Sequence, residues 1–302
     1  MKQDLLSFAM FSPDQLMGYL ELAQEVKNQP QRYCQALAGK SVVGLFEKPS
    51  LRTRVSFDVG INKLGGHFVY LDSQNDKLGA RESLKDMGAN LSRWCDAIVA
   101  RVFSHQTLIE LADASSVPVI NALCDTYHPC QALADYLTIK ETLGDVRNAK
   151  IAYIGDGNNV THSLLLAGAL LGADVRVITP KGHDVNQTVF QLAAGLAAQH
   201  GGKVSQSHDI ALATGCDVIY TDTWISMGAG SRYEDIAPIF MPYQVNETLM
   251  QNSGAQFVMH CQPAHREQEI TSAVMDGKGS LLLDQAENRM HAQNAILINL
   301  LG

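Results

Sequence analysis

No two of the six cysteines stand in a CxxC pair, and Cys34, Cys95, Cys124, Cys130, Cys216 and Cys261 show no framework spacing. That excludes a disulfide scaffold and points to a reducing, cytoplasmic compartment. No HExxH helix is present, and no second Cys/His cluster with usable spacing accompanies His260, Cys261 and His265. A resident metal is therefore not expected. Basic residues are outnumbered, giving a formal charge of -8, which argues against a general nucleic-acid or anionic-membrane binder. Met1 to Met10 carries Lys2 and Asp4 and has no long apolar core, so it reads as neither signal peptide nor membrane span. Low-complexity segments and short repeats are also absent.

What is present is material for buried cores. The 302 residues suit about two domains of ~150 residues each, and 46% are hydrophobic against 18% charged. Residues 4–28 read as amphipathic helix, with Pro13 opening its second part. Strands are expected at 41–46, 67–71, 97–102 and 117–121, with helices from Leu51 and over 83–94 between them. After a helix opened by Pro129 and stopped by Gly144, the rhythm restarts. Strands are expected at 150–154, 174–178, 217–222 and 256–260, with a helix ending near Gly172 after the loop 155–159 and helices over 187–198 and 286–301. Alternation of this kind implies two α/β domains with mostly parallel sheets flanked by helices. Their expected extents are 1–142 and 148–302, with the last helix packing back on the first domain. Ligands of such sheets bind at the carboxyl ends of strands. Arg101, Asn159, Asp222 and Cys261 all lie at or just beyond such ends.

Two nucleotide patterns fail. Gly39-Lys40-Ser41 resembles a P-loop tail, but Cys34 stands where its first glycine belongs, and the segment precedes a strand. Gly155-x-Gly157 lacks the third glycine of a dinucleotide loop, Val160 taking its place, and the next strand ends at Thr179 without an acid for a ribose. No cofactor is expected.

The richest stretch is Phe46-Glu47-Lys48-Pro49-Ser50-Leu51-Arg52-Thr53-Arg54. A buried strand ends, Pro49 breaks it, and Ser50 caps a helix whose first turn holds Leu51, Arg52 and Thr53. Backbone N–H groups there lack intrahelical acceptors, the helix dipole favours an anion, and Arg52 and Thr53 add side-chain donors. By itself the pattern fits either a phosphate cradle or an ordinary capped helix. Arg101 alone reads as a surface arginine, His128 as a helix cap, and Cys261 as a nucleophile or a buried inert thiol.

Together these residues resemble the transcarbamylase family over essentially the whole chain. Ser50-x-Arg52-Thr53-Arg54 is similar to that family's carbamoyl-phosphate loop, Arg101-x-Phe-Ser-His to its second anion segment, and His128-Pro-Cys-Gln131 to its carbonyl-binding signature. Asp222-Thr-Trp-Ile-Ser226-Met227-Gly228 resembles the ornithine-binding loop, as distinct from the aspartate-binding branch. His260-Cys261-Gln262-Pro263 and Glu287-Asn288-Arg289 complete the set.

The resemblance implies transfer of a carbamoyl group from carbamoyl phosphate to the δ-amine of L-ornithine. In that reading Ser50, Leu51, Arg52, Thr53, Lys77, Arg101, His128, Gln131 and Arg289 hold carbamoyl phosphate. Asn159, Asp222, Ser226, Met227, Cys261 and Gln262 hold the amino acid. Arg101, His128, Asp222 and Cys261 carry the chemistry. It further implies a homotrimer or a multiple of trimers, with the Lys77 loop reaching a neighbour's site. Lys77 and Gln262 depart from the usual pattern, which commonly has glutamine and leucine there. The departures keep open a relative acting on putrescine, lysine or an N-acylornithine, and a non-catalytic carbamoyl-phosphate-binding paralogue.

Overall fold

In the computed structural model, residues 2–72, 77–225, 230 and 232–302 are described. Helices α1 (Pro13–Asn28) and α2 (Pro30–Tyr33) precede β1 (Ser41–Phe46), α3 (Leu51–Lys63), β2 (His67–Asp72), α4 (Leu84–Leu91), β3 (Ala97–Arg101), α5 (His105–Ala114), β4 (Val119–Leu123) and α6 (Pro129–Leu143). Then follow β5 (Lys150–Ile154), α7 (Asn159–Leu171), β6 (Asp174–Ile178), α8 (Gln187–His200), β7 (Lys203–Ser207), β8 (Val218–Thr221), α9 (Tyr233–Phe240), α10 (Glu247–Ser253), β9 (Phe257–His260), α11 (Ser272–Met275) and α12 (Leu282–Leu301).

The chain forms two compact units. One holds residues 1–10, 14–134 and 289–302, and the other holds 11–13 and 135–288, so the division falls inside α6 and inside α12. The first unit is built on a sheet of order β2-β1-β3-β4 and the second on β7-β6-β5-β8-β9. Every pairing is parallel. The central strands are apolar and buried, as expected where helices flank a parallel sheet. Val43, Leu45, Ile98 and Ala100 pack with Leu108 and Leu111 in the first unit. Ala152, Ile154 and Ile219 pack with Val258 and Ile270 in the second.

Strand order reverses beside β1 in one sheet and beside β5 in the other. Chain continuity carries β1 to β2 on one side, while β3 lies on the other. Likewise β6 and β8 flank β5 on opposite sides. Loops leaving adjacent strands at such a reversal part in opposite directions and open a crevice at the strands' carboxyl ends. In the first unit Phe46 is level with Arg101. In the second, Ile154 is level with Thr221 and Thr221 with His260.

Several local expectations need correction. Residues 4–12 are not helical: Leu5 bridges Ile120, its N–H donating to Val119 O at 2.9 Å while Asn121 N donates to Leu5 O at 2.8 Å. The apolar residues that look like a helix face are Leu5 and Phe8, buried beside the sheet edge. Helix α4 ends at Leu91 instead of Trp94, β4 lies two residues later than expected, and α12 begins at Leu282, four residues earlier. Helix α5, capped by Ser104 through Gln106 N, and β7 are additional to the expected elements. The sequence of β7, Lys-Val-Ser-Gln-Ser, is too polar to announce a strand, and it lies at the sheet's edge.

Candidate functional site

In the first unit, the anion-cradle geometry begins at β1. Glu47, just beyond the strand, is 3% exposed. Its carboxylate accepts from Leu78 N at 2.6 Å and Phe103 N at 2.5 Å, pinning the two loops that flank the strand end. Ser50 caps α3 in extended conformation. It accepts from Thr53 N at 3.3 Å and donates to Thr53 Oγ1 at 2.9 Å. Leu51 and Arg52 thus start the helix with their N–H groups ahead of any intrahelical acceptor. Leu51 is exposed, Arg52 half-buried and Thr53 buried.

Arg289 converges on this turn. Its guanidinium donates to Gln131 Oε1, to Thr53 Oγ1 at 3.2 Å and to His128 Nε2 at 3.1 Å. Arginine is a donor only, so His128 Nε2 carries no proton and accepts. Burial, then Arg289, then Arg101 hold the His128 imidazole well below its usual range. Arg101 closes β3 and is 2% exposed. Burial and the same Arg101 charge also depress the Lys48 ammonium. The result is a concentration of positive charge around a neutral histidine, an environment that favours a dianion.

The fold therefore brings Ser50, Thr53, His128, Gln131 and Arg289 into one hydrogen-bonded group, with Arg101 near His128. Lys77 is exposed in the loop that Glu47 pins through Leu78. Sequence reasoning misses the role of Glu47. The residue lies within the 46–54 stretch, but only the fold reveals two backbone donors aimed at it.

In the second unit, Asp222 directly follows β8 and Cys261 directly follows β9. Cys261 Sγ donates to Asp222 Oδ1 at 2.9 Å. The same carboxylate accepts from Thr223 N at 2.7 Å and from Asn158 Nδ2 at 2.9 Å. Asn158 also caps α7 by accepting from Val160 N and Thr161 N. Asn159 occupies the first turn of the helix. Gly157 permits the loop's path: a Cβ there would lie 2.5 Å from Asp184 C and Val185 N. Gly157 thus accommodates a neighbouring backbone. Ser226 and Met227 lie outside the described residues.

Cys261 differs from the buried thiols. Burial pushes Cys130 up to about 12 and Cys95 and Cys216 up to about 11. These are inert packing groups. Cys261 is only half-buried and its proton is directed at a carboxylate.

The donor atoms of Asp222, His260 and Cys261 lie within 4.8 Å of one another, which invites comparison with a metal centre. Both His260 nitrogens are engaged, however. Nδ1 accepts from Gln262 N at 2.8 Å and Nε2 faces Glu269 Oε1 at 3.0 Å. No lone pair of that imidazole is left for a metal, so the residues do not fit one.

A cationic dianion cradle in one α/β unit and a carboxylate–thiol pair at the strand ends of another define a protein that handles a phosphorylated ligand and a second polar one. The chain belongs to the aspartate/ornithine carbamoyltransferase family. That family's carbamoyl-P binding domain matches residues 3–141 and its Asp/Orn binding domain matches residues 147–300. An ornithine carbamoyltransferase of Vibrio sp. (strain 2693) is 56% identical over 299 residues, 99% of each chain. One from Shewanella oneidensis is 56% identical over 295 residues, 98% of each chain. Among solved structures, ornithine carbamoyltransferase from Pyrococcus furiosus superposes with a TM-score of 0.95 at 44% identity, covering 100% of this chain and 97% of the other.

Proposed function

We propose that this chain is an ornithine carbamoyltransferase, converting carbamoyl phosphate and L-ornithine to L-citrulline and phosphate without a cofactor. The observation that carries the reading is the full-length similarity to ornithine carbamoyltransferases, which spans both units.

The phosphate rests on the first turn of α3, on Ser50, Arg52 and Thr53, with the Arg101 and Arg289 guanidiniums. His128 and Gln131 take the carbamoyl end. Asp222 receives the α-amino group of ornithine, with Asn159, Ser226, Met227 and the Gln262 carbonyl completing that side. An alkylammonium has an ordinary pKa of ~10.4, so the δ-nitrogen must lose a proton before it attacks. Cys261 is the group to assist: its own proton points at Asp222, so the sulfur takes a proton from the δ-ammonium as its own passes to the carboxylate. Nitrogen attacks the carbonyl carbon, charge gathers on the carbonyl oxygen, and Arg101 and His128 stabilise it. The C–O bond to phosphate then breaks, and phosphate leaves with the displaced electron pair and takes the second proton, which the attacking nitrogen gives up as it becomes an amide. Holding two small substrates in line supplies a large share of the acceleration.

A homotrimeric assembly accords with an apolar stripe on the first unit. Leu51, Val55 and Val59, spaced four apart on α3, are exposed, as are Val69 and Leu71 on the edge strand β2. Apolar side chains grouped at a sheet edge favour burial against another chain. Light scattering at micromolar concentration tests this: a trimer or a multiple of it is expected, and a monomer contradicts it.

The functional test is initial-rate citrulline formation with ornithine, putrescine, lysine and N-acetylornithine offered separately. Ornithine is expected to be preferred by at least 100-fold in kcat/KM. Preference for another amine moves the chain to a different branch of the family, and binding of carbamoyl phosphate without turnover marks a non-catalytic paralogue.

A further inference from the structure

Beneath Cys261 runs a chain of buried polar groups that the mechanism above does not use. Glu269 is 1% exposed. Its Oε1 accepts from His265 N at 2.5 Å and faces His260 Nε2 at 3.0 Å, and its Oε2 lies 3.6 Å from His265 Nδ1. His260 is also buried, and its N–H donates to Gln285 Oε1 at 2.9 Å. Gln285 in turn donates to Asp135 Oδ1 at 2.7 Å and to Tyr220 OH at 3.2 Å.

The tautomer of His260 follows from these contacts. Gln262 N–H donates to Nδ1, so Nδ1 is bare and the ring proton sits on Nε2, pointing at the Glu269 carboxylate. The acceptor thereby offered is spent on a strained position. Gln262 has φ +57, the left-handed region, which a non-glycine residue adopts only against its own Cβ sterics. Such a conformation persists only where its surroundings hold it. Cys261 sits between the two ends of this clamp, and its thiol meets Asp222. A buried carboxylate is itself expensive, so its placement where it fixes one imidazole and one backbone N–H asks for a reason.

We propose that Glu269 and His260 are positioning residues: Glu269 sets the His260 tautomer, and His260 Nδ1 holds the Gln262 backbone so that the Cys261 sulfur and the Gln262 carbonyl face the amino-acid substrate. The kinetic half of the test rests on the function proposed above, and the chemical half does not.

The test compares H260N/E269Q with H260L/E269Q. Both remove the buried charge, so neither strands it. The asparagine side chain of the first restores an acceptor two residues before the Gln262 N–H, as in an Asx-turn, whereas the leucine of the second offers none. Turnover at saturating substrates is expected to be at least tenfold higher in H260N/E269Q, with KM for carbamoyl phosphate equal in the two. Alkylation of Cys261 by iodoacetamide, followed by mass spectrometry, is expected to stay within threefold of the E269Q single variant in H260N/E269Q and to depart further in H260L/E269Q. Equal turnover, or equal alkylation rates, in two folded double variants overturns the proposal. Should H260L/E269Q not fold, the alkylation rate of H260N/E269Q against E269Q decides: within threefold supports the clamp, and a larger change overturns it. If the wild-type chain forms no citrulline, the functional reading fails while the alkylation comparison still judges the clamp.

Discussion

Replacing Arg289 with glutamine separates what this arginine does for the fold from what it does for the anion. In the folded chain it donates to Thr53, Gln131 and His128. Each such bond is worth a net ~0.5–1.5 kcal/mol, but removing a guanidinium that is 6% exposed also relieves the cost of burying its charge. The opposing terms leave a stability change of about 2 kcal/mol or less. The ligand has no such compensation. A guanidinium grips a phosphoryl group through two charge-assisted bonds of about 1.5–3 kcal/mol each. Losing both removes about 3–6 kcal/mol, or roughly 10²–10⁴ in kcat/KM for carbamoyl phosphate at ~1.4 kcal/mol per decade. The assay is initial-rate citrulline formation with carbamoyl phosphate varied at saturating ornithine, beside a melting curve. A variant that melts within a few degrees of wild type and loses less than tenfold in kcat/KM refutes the placement of the anion.

Three further outcomes follow from the same geometry. Cys261→Ser is expected to lower kcat/KM for ornithine while leaving KM for carbamoyl phosphate unchanged, because the thiol meets Asp222 at the strand ends of the second unit; unchanged ornithine kinetics would remove the sulfur from the mechanism. Gly157→Ala forces a Cβ to within 2.5 Å of the Asp184–Val185 backbone, overpacking worth about 1–3 kcal/mol; a lower melting temperature and a raised KM for ornithine are expected, and an unaltered enzyme contradicts so close an approach. His128 is held neutral in the folded chain by burial and by Arg289 and Arg101, whereas the unfolded chain takes up that proton near pH ~6.5. The unfolded state then binds more protons, so this contribution is complete above pH ~6.5 and is lost as pH falls below it, by at most ~1.4 kcal/mol per pH unit. The stability of wild type relative to His128→Gln, from urea unfolding, should therefore decline between about pH 7 and 5; a constant difference over that range contradicts the buried, neutral assignment.

The parts legible in the sequence are those where one local rule decides. Ser50 before a helical period announces the cap of α3, Pro129 and Gly144 bracket α6, and Gly172 closes α7 in the left-handed conformation. Strands buried on both faces read as apolar runs, so β1, β3 and β5 are plain. What stays hidden depends on contacts distant in sequence. Glu47 acquires its backbone donors from residues 31 and 56 positions away. Asn158 reaches Asp222 because the N-cap geometry, fixed by where α7 starts, turns its side chain toward the carboxylate. Residues 4–12 have a helix-like pattern, but the open edge of β4 offers hydrogen bonds that a helix there would forgo. His260 looks like one of several scattered histidines until Glu269 and Gln262 are seen on either side of its ring.

The most direct test is a crystal structure with carbamoyl phosphate or an inert phosphonate mimic. The phosphorus atom is expected at the first turn of α3, its oxygens within hydrogen-bond reach of the Arg52 and Thr53 region and of Arg289, with the carbamoyl end against His128. The same ligand bound anywhere else in the chain would contradict that placement.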